Sequence, residues 1–217
     1  MEKAKNSLIR TYGRKHGKKL SARQQNLIDA VLPTLLPNDT EGAILEIGFG
    51  NGEHLILLAE QNPDKIIIGA EPFVNGVAQM LSKITDEKNH VMPQYKNIRI
   101  WPDDVRKLPA LAMGGGRFES IYILHPDPWP KARHEKRRLL SVEFLRTLAS
   151  KVPKGGRIIV GTDHADYYDW ILEQANAANL EIKRQDGDVI KTKYQEKNLY
   201  GSAGTMYLSL FPNFSKA

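Results

Sequence analysis

Apolar residues fall along this chain in two alternating patterns. In one, five to seven consecutive residues are mostly apolar, which is typical of strands buried in a sheet. In the other, apolar residues recur every three or four positions, which is typical of amphipathic helices. The predicted strands are Ala43–Ile47, Lys65–Ala70, Asn97–Trp101, Phe118–Leu124, Arg157–Gly161, Leu180–Arg184 and Thr205–Phe211. The predicted helices are Glu53–Gln61, Val74–Ile84, Lys136–Ser150 and His164–Ala178.

The alternation of strands and helices predicts the fold class. We expect an α/β fold with a doubly wound, mostly parallel sheet of seven strands and helices on both of its faces. Ligands of such sheets bind outside the carboxyl ends of the strands, where the strand order reverses. The functional residues are therefore expected directly after the strands.

The N-terminal segment differs from the rest of the chain. Residues 1–20 are polar and basic without a clear period, and we expect them to be partly mobile. Ser21 is suited to cap a helix that has one apolar face. That face consists of Leu27, Ile28, Val31 and Leu32. We therefore divide the chain into a basic N-terminal arm and helix, residues 1–41, and an α/β domain, residues 42–217.

Composition excludes several classes of site. The chain has no cysteine, which excludes disulfides, thiolate nucleophiles and cysteine-based zinc or iron–sulfur centres. Its six histidines show no metal-like spacing, so we predict no metal. No apolar run approaches the roughly 18 residues that a membrane span needs, and the first ten residues do not resemble a signal peptide. We expect a cytoplasmic protein, either a monomer or a homodimer.

Positive charge is concentrated in two segments. The formal net charge is +6, but residues 1–23 carry +7 and residues 131–138 carry +4, so the remainder is acidic. Clustered positive charge is typical of proteins that bind a polyanion such as RNA. A solvated tail and a solvated helix face would give the same charge pattern.

A glycine-rich loop follows the first predicted strand. Gly48, Gly50 and Gly52 allow the backbone to turn tightly and to approach a ligand closely. Glu71 ends the second strand, where a carboxylate can accept hydrogen bonds from ribose hydroxyls. The spacing G-x-G-x-G differs from the pyrophosphate-binding G-x-G-x-x-G, and Glu46 would repel a pyrophosphate. This set favours a cationic nucleoside such as S-adenosylmethionine (SAM) over a dinucleotide.

Two carboxylates follow the third predicted strand. Either Asp104 or Asp103 is placed to accept a hydrogen bond from an adenine amino group. The alternative role is structural, because aspartate also caps helices.

A proline-rich loop follows the fourth predicted strand. Prolines at 126, 128 and 130 restrict the backbone around Asp127 and Trp129. The basic run of residues 131–138 comes next. Aromatic rings stack on unpaired bases, and Arg and Lys bind phosphates, so this loop is a candidate RNA-binding site. A tight turn with a packed tryptophan is the structural alternative.

The string PDPWPKARHEKRRL closely resembles a motif of the tRNA (guanine-N(7)-)-methyltransferases. LEIGFGNG, GAEP, the aspartate after strand three and Thr162-Asp163 occur in that family's order. The resemblance covers roughly residues 42–211. It implies a Rossmann-like class I methyltransferase fold, SAM as cofactor, and a variable-loop guanine of tRNA as substrate. Residues 42–217 would then be the SAM-dependent methyltransferase domain.

The resemblance also implies roles for individual residues. The implied SAM contacts are Glu46, Glu71, Asp104 and Asp127, beside the loop glycines Gly48, Gly50 and Gly52. Asp127 is in addition the implied catalytic residue. The implied substrate contacts are Lys131, Asp163, Thr192, Lys193, Tyr194 and Gln195. The implied RNA contacts are Arg133, His134, Glu135, Lys136, Arg137 and Arg138. Gln195 stands where the family usually has glutamate, which puts the role of that position in doubt.

Three alternatives to methylation of guanine N7 follow from the same residues. Asp127-Pro-Trp-Pro partly resembles the Asp-Pro-Pro-Tyr segments of enzymes that methylate amino groups, so RNA or protein amines are alternative acceptors. An NAD-dependent oxidoreductase is disfavoured by Glu46 and the glycine spacing. A catalytically idle RNA-binding protein is disfavoured by the intact set of acidic residues. The sequence leaves open which tRNAs are bound and whether the N-terminal arm and residues 185–204 order only on RNA.

Overall fold

The computed structural model describes residues 11–13, 15–112, 117–185 and 204–213. The strands are β1 Ala43–Ile47, β2 Ile67–Ala70, β3 Ile98–Trp101, β4 Phe118–Leu124, β5 Arg157–Thr162, β6 Glu181–Gln185 and β7 Met206–Phe211. The α-helices are α1 Ala22–Asn26, α2 Glu53–Gln61, α3 Val74–Ile84, α4 Pro109–Ala112, α5 Val142–Ala149 and α6 Ala165–Ala177. The short 3-10 segments are Leu32–Leu35, Pro93–Tyr95, Val105–Lys107 and Ala132–Arg137.

The strands form one sheet in the order β3-β2-β1-β4-β5-β7-β6. The neighbours from β3 to β5 pair in parallel, and β7 runs antiparallel to both β5 and β6. This arrangement confirms the predicted α/β fold with a mostly parallel sheet. Because the strand order reverses between β1 and β4, a crevice opens at the carboxyl ends of these two strands.

The central strand β1 is buried along its whole length. Successive side chains of a strand point to opposite faces, so Leu45 packs in the core beneath α5 and α6, whereas Ile44 packs in the core beneath α2 and α3. Apolar residues on both faces explain the continuous apolar run in the sequence. Glu46 is the polar residue in this strand, and the alternation places it on the α2–α3 side.

The N-terminal helix belongs to the same core as the sheet. The Ser21 hydroxyl accepts a hydrogen bond from the backbone N–H of Gln24, whose side chain accepts one from the Ser21 N–H. This capping box confirms the predicted start of the helix. The helix continues as one π-helical turn, Leu27–Val31. Leu27 is fully buried among residues of α2 and α3, so the apolar face of this helix is covered by the domain.

The predicted helix over Lys136–Ser150 is wrong in its first half. The 3-10 segment Ala132–Arg137 ends at Arg138, which has an extended backbone. α5 starts only at Val142, because the Ser141 hydroxyl accepts a hydrogen bond from the N–H of Phe144 and caps the helix there. The remaining predicted strands and the other predicted helices of the domain agree with the structure to within two residues at each end.

Membrane-spanning helices and metal-binding groups are both absent from the described part of the chain. None of its helices is long and apolar enough to cross a membrane. Its histidines, aspartates and glutamates form no group of three or more that could hold a metal ion.

Candidate active site

A cavity of about 510 Å³ opens at the carboxyl ends of β1, β2 and β4. Its walls include the glycine loop after β1, the proline-rich loop after β4 and Thr11–Gly13 of the N-terminal arm. The predicted site residues that line it are Glu46, Gly48, Gly50, Glu71, Asp104, Asp127, Lys136, Arg137 and Arg138. Gly52 lies beside it as the N-cap residue of α2. The strand ends thus bring most of the predicted site into one place.

The glycine loop leaves open space beside its backbone. Gly48 and Gly50 have φ angles of 77° and 57°, a conformation that side chains with a Cβ rarely adopt. A Cβ built on either residue would meet no atom within 4 Å. The loop therefore forms a cradle in which a ligand can approach the backbone closely.

Glu71 fixes the glycine loop from the end of β2. Its carboxylate accepts hydrogen bonds from the backbone N–H of Gly50 at 2.9 Å and of Phe73 at 2.8 Å. Burial raises the pKa of Glu71 despite these two bonds, and the nearby carboxylates of Asp127 and Glu46 act in the same direction. The cavity thus gathers negative charge that a cationic ligand would neutralise.

Glu46 is buried deeper than Glu71 and faces a histidine. Its Oε2 lies 3.2 Å from Nδ1 of His54, at the start of α2. Glu46 is 3% exposed and His54 7% exposed. Neither of these two atoms forms a hydrogen bond of good geometry within the described residues, although both side chains line the cavity. In the sequence the histidines were considered only for metal-like spacing, which gave no indication of this pairing.

Asp104 has the structural role that the sequence left as an alternative. Its carboxylate caps the 3-10 segment by accepting from the N–H of Arg106, and it also pairs with the Arg106 guanidinium at 2.6 Å. Thr11 donates a further hydrogen bond to it at 2.8 Å. Burial acts to raise the pKa of Asp104, but the bonds from Arg106 and Thr11 outweigh this and hold the pKa below its usual value. A contact between Asp104 and adenine stays a prediction.

The loop after β4 places Asp127 at the mouth of the cavity between two strained residues. His125 and Trp129 have φ angles of 50° and 42°, which are unusual for residues other than glycine. Such conformations cost on the order of 1–3 kcal/mol each and tend to occur at functional sites. Partial removal from water raises the pKa of Asp127 above its ordinary value. The prolines predicted a stiff loop, but no sequence signal marked this strain.

The N-terminal arm forms part of the cavity wall. A Cβ built on Gly13 would lie 3.9 Å from Oδ2 of Asp127, so the arm passes beside the candidate catalytic residue. Further along, the Lys15 carbonyl accepts from the N–H of Val74, and the Gly17 N–H donates to the Asn75 side chain. Lys15 and Gly17 are thus attached to the start of α3, and the partial mobility of residues 1–20 stays a prediction.

Adjacent arginines of the basic segment have different surroundings. Arg138 is buried, its Nε donates to the carbonyl of Pro128 at 2.9 Å, and its guanidinium lies over the rings of Tyr167 and Trp170. The Arg137 guanidinium lies over the Trp129 ring at 4.9 Å. It also lies over the ring of Tyr12 in the arm, at 5.4 Å. Arg138 therefore supports the loop from within, and Arg137 joins the loop to the arm.

The other predicted RNA contacts lie on the surface beside the cavity. Arg133, Glu135 and Lys136 are exposed, and so is Lys131, which was predicted as a substrate contact. His134 packs edge-on against the Trp129 ring. The basic run therefore faces solvent except at Arg137 and Arg138.

The predicted substrate contacts fall partly outside the described residues. Asp163 lies after β5 with Oδ1 3.9 Å from Nδ1 of His125. Burial lowers the pKa of His125, against the opposing effect of Asp163. The segment of Thr192, Lys193, Tyr194 and Gln195 lies outside the described residues, so their predicted roles stay predictions.

Solved structures define the fold class of this chain. The 16S rRNA methyltransferase KamB superposes with a TM-score of 0.55 at 15% identity, covering 85% of this chain and 94% of that one. A precorrin-6y C5,15-methyltransferase from Geobacter metallireducens GS-15 superposes with a TM-score of 0.53 at 15% identity, covering 91% and 93%. At this identity the likeness shows the fold alone. The fold is that of the Rossmann-like class I methyltransferases.

Sequence relatives narrow the class to a family. A family model described as "Putative methyltransferase" matches residues 40–203. A tRNA (guanine-N(7)-)-methyltransferase of Sphingopyxis alaskensis is 37% identical over 88% of this chain and 89% of its own length. The enzyme of that name from Caulobacter vibrioides is 35% identical over 92% and 93%. The chain belongs to the tRNA (guanine-N(7)-)-methyltransferase family, which confirms the resemblance found in the sequence. The family and the fold imply SAM as the methyl donor.

Proposed function

We propose that this protein transfers a methyl group from SAM to nitrogen 7 of a variable-loop guanine in tRNA, acting in the cytoplasm. The proposal rests on one observation, that two parts of the site with different chemistry lie next to each other. A cavity with buried carboxylates on its floor opens beside a loop that carries Asp127, Trp129 and the basic residues 131–138. A cationic cofactor fits the first part, and an RNA base with its phosphates fits the second.

The floor of the cavity fits SAM. Glu46 is a buried carboxylate that lines the cavity, which suits the ammonium group of the cofactor. Glu71 would accept from the ribose hydroxyls, as carboxylates at this position do in nucleotide-binding sheets. The space beside Gly48 and Gly50 would admit the cofactor against the backbone. When bound, SAM supplies a methyl group on a cationic sulfur, and the electrons of the broken bond remain on that sulfur.

The acceptor decides what Asp127 must do. Nitrogen 7 of guanine carries a lone pair in the plane of the ring and no proton, so the reaction needs no general base. Methylation leaves the guanine cationic. A carboxylate at the mouth of the cavity would stabilise that developing charge and orient the base. Asp127 has this position, and the stiff loop that carries it limits the reorganisation needed during the reaction.

The rim of the cavity would hold the RNA. Lys131, Arg133 and Lys136 are exposed and free to meet phosphates. Trp129 offers an aromatic face on which a base can stack, once the guanidinium of Arg137 moves from it. Arg138 is left out of the proposed RNA contacts, because it is buried and bonded to the Pro128 carbonyl.

Methyl transfer from labelled SAM to unmodified tRNA, followed by nucleoside analysis, tests this proposal. We expect 7-methylguanosine, mapped to the variable loop. Label on an exocyclic amine of RNA would keep the cofactor and reject the acceptor. Absence of label on tRNA in the presence of bound SAM would reject tRNA as the substrate.

A further inference from the structure

His54 and Glu46 form a buried pair that the proposed chemistry does not use. Both side chains are more than nine-tenths buried, and both line the cavity. Nδ1 of His54 and Oε2 of Glu46 lie 3.2 Å apart, but neither atom forms a hydrogen bond of good geometry within the described residues. An unpaired buried polar atom is costly, so a structure keeps such a pair only where something offsets the cost.

The surroundings of His54 restrict its role. Its ring packs against Tyr122 of β4, with the ring centroids 5.2 Å apart and the planes inclined at 55°. A metal is disfavoured, because the described residues provide no cluster of three ligands. The ring is thus held in place by an aromatic contact, with Nδ1 3.2 Å from the Glu46 carboxylate.

We propose that His54 is a positioning residue that holds the Glu46 carboxylate for the ammonium group of the cofactor. A donor at Nδ1 would fix Oε2 and leave the other oxygen, Oε1, to accept from the ligand. This inference rests on the proposed function, because it assigns the amino-acid end of SAM to this part of the cavity. His54 would then set the selectivity of the site for nucleosides that carry an amino-acid group.

Two substitutions test the contribution of the His54 ring and that of its Nδ1 separately. His54→Phe keeps an aromatic ring beside Tyr122 and removes the donor. His54→Asn loses the ring but retains an amide nitrogen near the position of Nδ1. His90→Leu is the matched control, because His90 also faces a carboxylate, with its Nδ1 3.5 Å from Oδ2 of Asp86, but is exposed and does not line the cavity. Should His54→Phe not fold, His54→Leu takes its place.

Equilibrium binding of two ligands then tests the assignment. SAM carries the amino-acid group, whereas 5′-methylthioadenosine shares the adenosine and the sulfur but lacks that group. For His54→Phe we expect SAM to bind about 10- to 100-fold more weakly, the range for losing a hydrogen bond to a charged group. Binding of methylthioadenosine should stay within about twofold. His54→Asn should recover most of the SAM affinity, and His90→Leu should match the unsubstituted protein.

The outcomes distinguish this inference from the proposed function. Unchanged SAM affinity in His54→Phe would overturn it. Equal weakening of both ligands would also overturn it, because it would indicate a merely structural role for the ring. A His54→Asn variant that binds SAM no better than His54→Phe would contradict the need for a donor at Nδ1. If the unsubstituted protein binds no SAM, the proposed function itself fails.

Discussion

The floor and the rim of the cavity are positioned in different ways. The floor, consisting of Glu46, Gly48, Gly50 and Glu71, lies on strand ends and on the loop directly after β1. The sheet itself therefore fixes it. The rim, consisting of Thr11–Gly13, Asp127, Trp129 and Lys136–Arg138, lies on loops and on the N-terminal arm. Side-chain contacts across the chain hold it, such as the Thr11–Asp104 hydrogen bond and the stacking of Arg137 on Trp129.

This difference separates cofactor binding from substrate binding. A site on rigid strands suits a cofactor that is the same in every cycle, whereas a rim of loops can adapt to a large folded RNA. Substitutions in the floor should change the affinity for SAM. Substitutions in the rim should change turnover and RNA binding. Asp127 lies where the two regions meet, so its substitution should have the largest effect.

Asp127→Ala should lower the single-turnover rate of methyl transfer about 10²- to 10³-fold, the usual cost of removing one electrostatic stabiliser. The dissociation constant of SAM, measured by titration calorimetry, should change far less. Asp64→Asn, an exposed carboxylate before β2, is the control and should leave both values unchanged. Equal losses of rate and SAM affinity, or no loss of rate, would contradict the assigned role.

Glu71→Gln should weaken SAM binding about 10- to 100-fold, because the amide keeps only one acceptor oxygen for Gly50, Phe73 and the ligand. Affinity for tRNA, measured by filter binding without SAM, should stay unchanged. A parallel fall in tRNA affinity would show that floor and rim are not separate.

Acidification should inactivate the enzyme through Asp127. The pKa of Asp127 is raised, so the carboxylate is ionised above that pKa and is protonated as the pH falls through it. The single-turnover rate at saturating SAM should then fall about tenfold per pH unit below the pKa, from a higher pH than an ordinary aspartate would give. Asp127→Asn should have a low rate that no longer falls in this way at low pH. If the rate of that variant still falls, another group is responsible for the pH dependence.

The two adjacent arginines should differ in what they stabilise. Arg138→Met removes the hydrogen bond to Pro128 and should lower the free energy of unfolding by about 1–3 kcal/mol. Each kcal/mol lost should lower Tm by roughly 2–4 °C in a chain of this size. Arg137→Met should change the free energy of unfolding by only about 0.5 kcal/mol. Thermal unfolding by circular dichroism measures both. Equal stabilities of the two variants would contradict the buried role of Arg138.

Salt should weaken tRNA binding through the exposed basic residues of the segment 131–138, next to the rim. If about four basic side chains neutralise phosphates, log K against log salt should have a slope near −3. Replacing both Lys131 and Arg133 by alanine should make this slope about 1.4 less negative. Replacing both Lys88 and Lys96 by alanine is the charge-matched control, because these are two exposed lysines distant in sequence from residues 131–138. If the substitution of Lys131 and Arg133 leaves the slope unchanged, the segment 131–138 is not the RNA-binding surface.

The floor could be predicted from the sequence because it depends on local rules. Apolar runs gave the strands to within two residues, and the ends of parallel strands must meet at one edge of the sheet. Glu46, Gly48, Gly50 and Glu71 therefore came together as predicted. The pairing of Glu46 with His54 was missed, because a single histidine at a helix start has no distinctive sequence pattern.

The rim could not be predicted in the same way because long-range contacts determine it. The sequence predicted one helix over Lys136–Ser150, but the hydroxyl of Ser141 caps α5 at a later start and Arg138 turns inward to Pro128. The polar sequence of the arm indicated no partner for Thr11, yet Thr11 bonds to Asp104, more than ninety residues away. No local sequence pattern predicts such a contact. The family resemblance implied roles for the basic residues but did not indicate which of them are buried.

The division between floor and rim is tested most directly by raising the SAM concentration in single-turnover methyl transfer to tRNA. With Glu71→Gln, saturating SAM should restore the rate to near that of the unsubstituted protein, because only cofactor affinity is lost. With Asp127→Asn, the rate should stay low at every SAM concentration. Rescue of Asp127→Asn by SAM, or failure to rescue Glu71→Gln, would contradict the account.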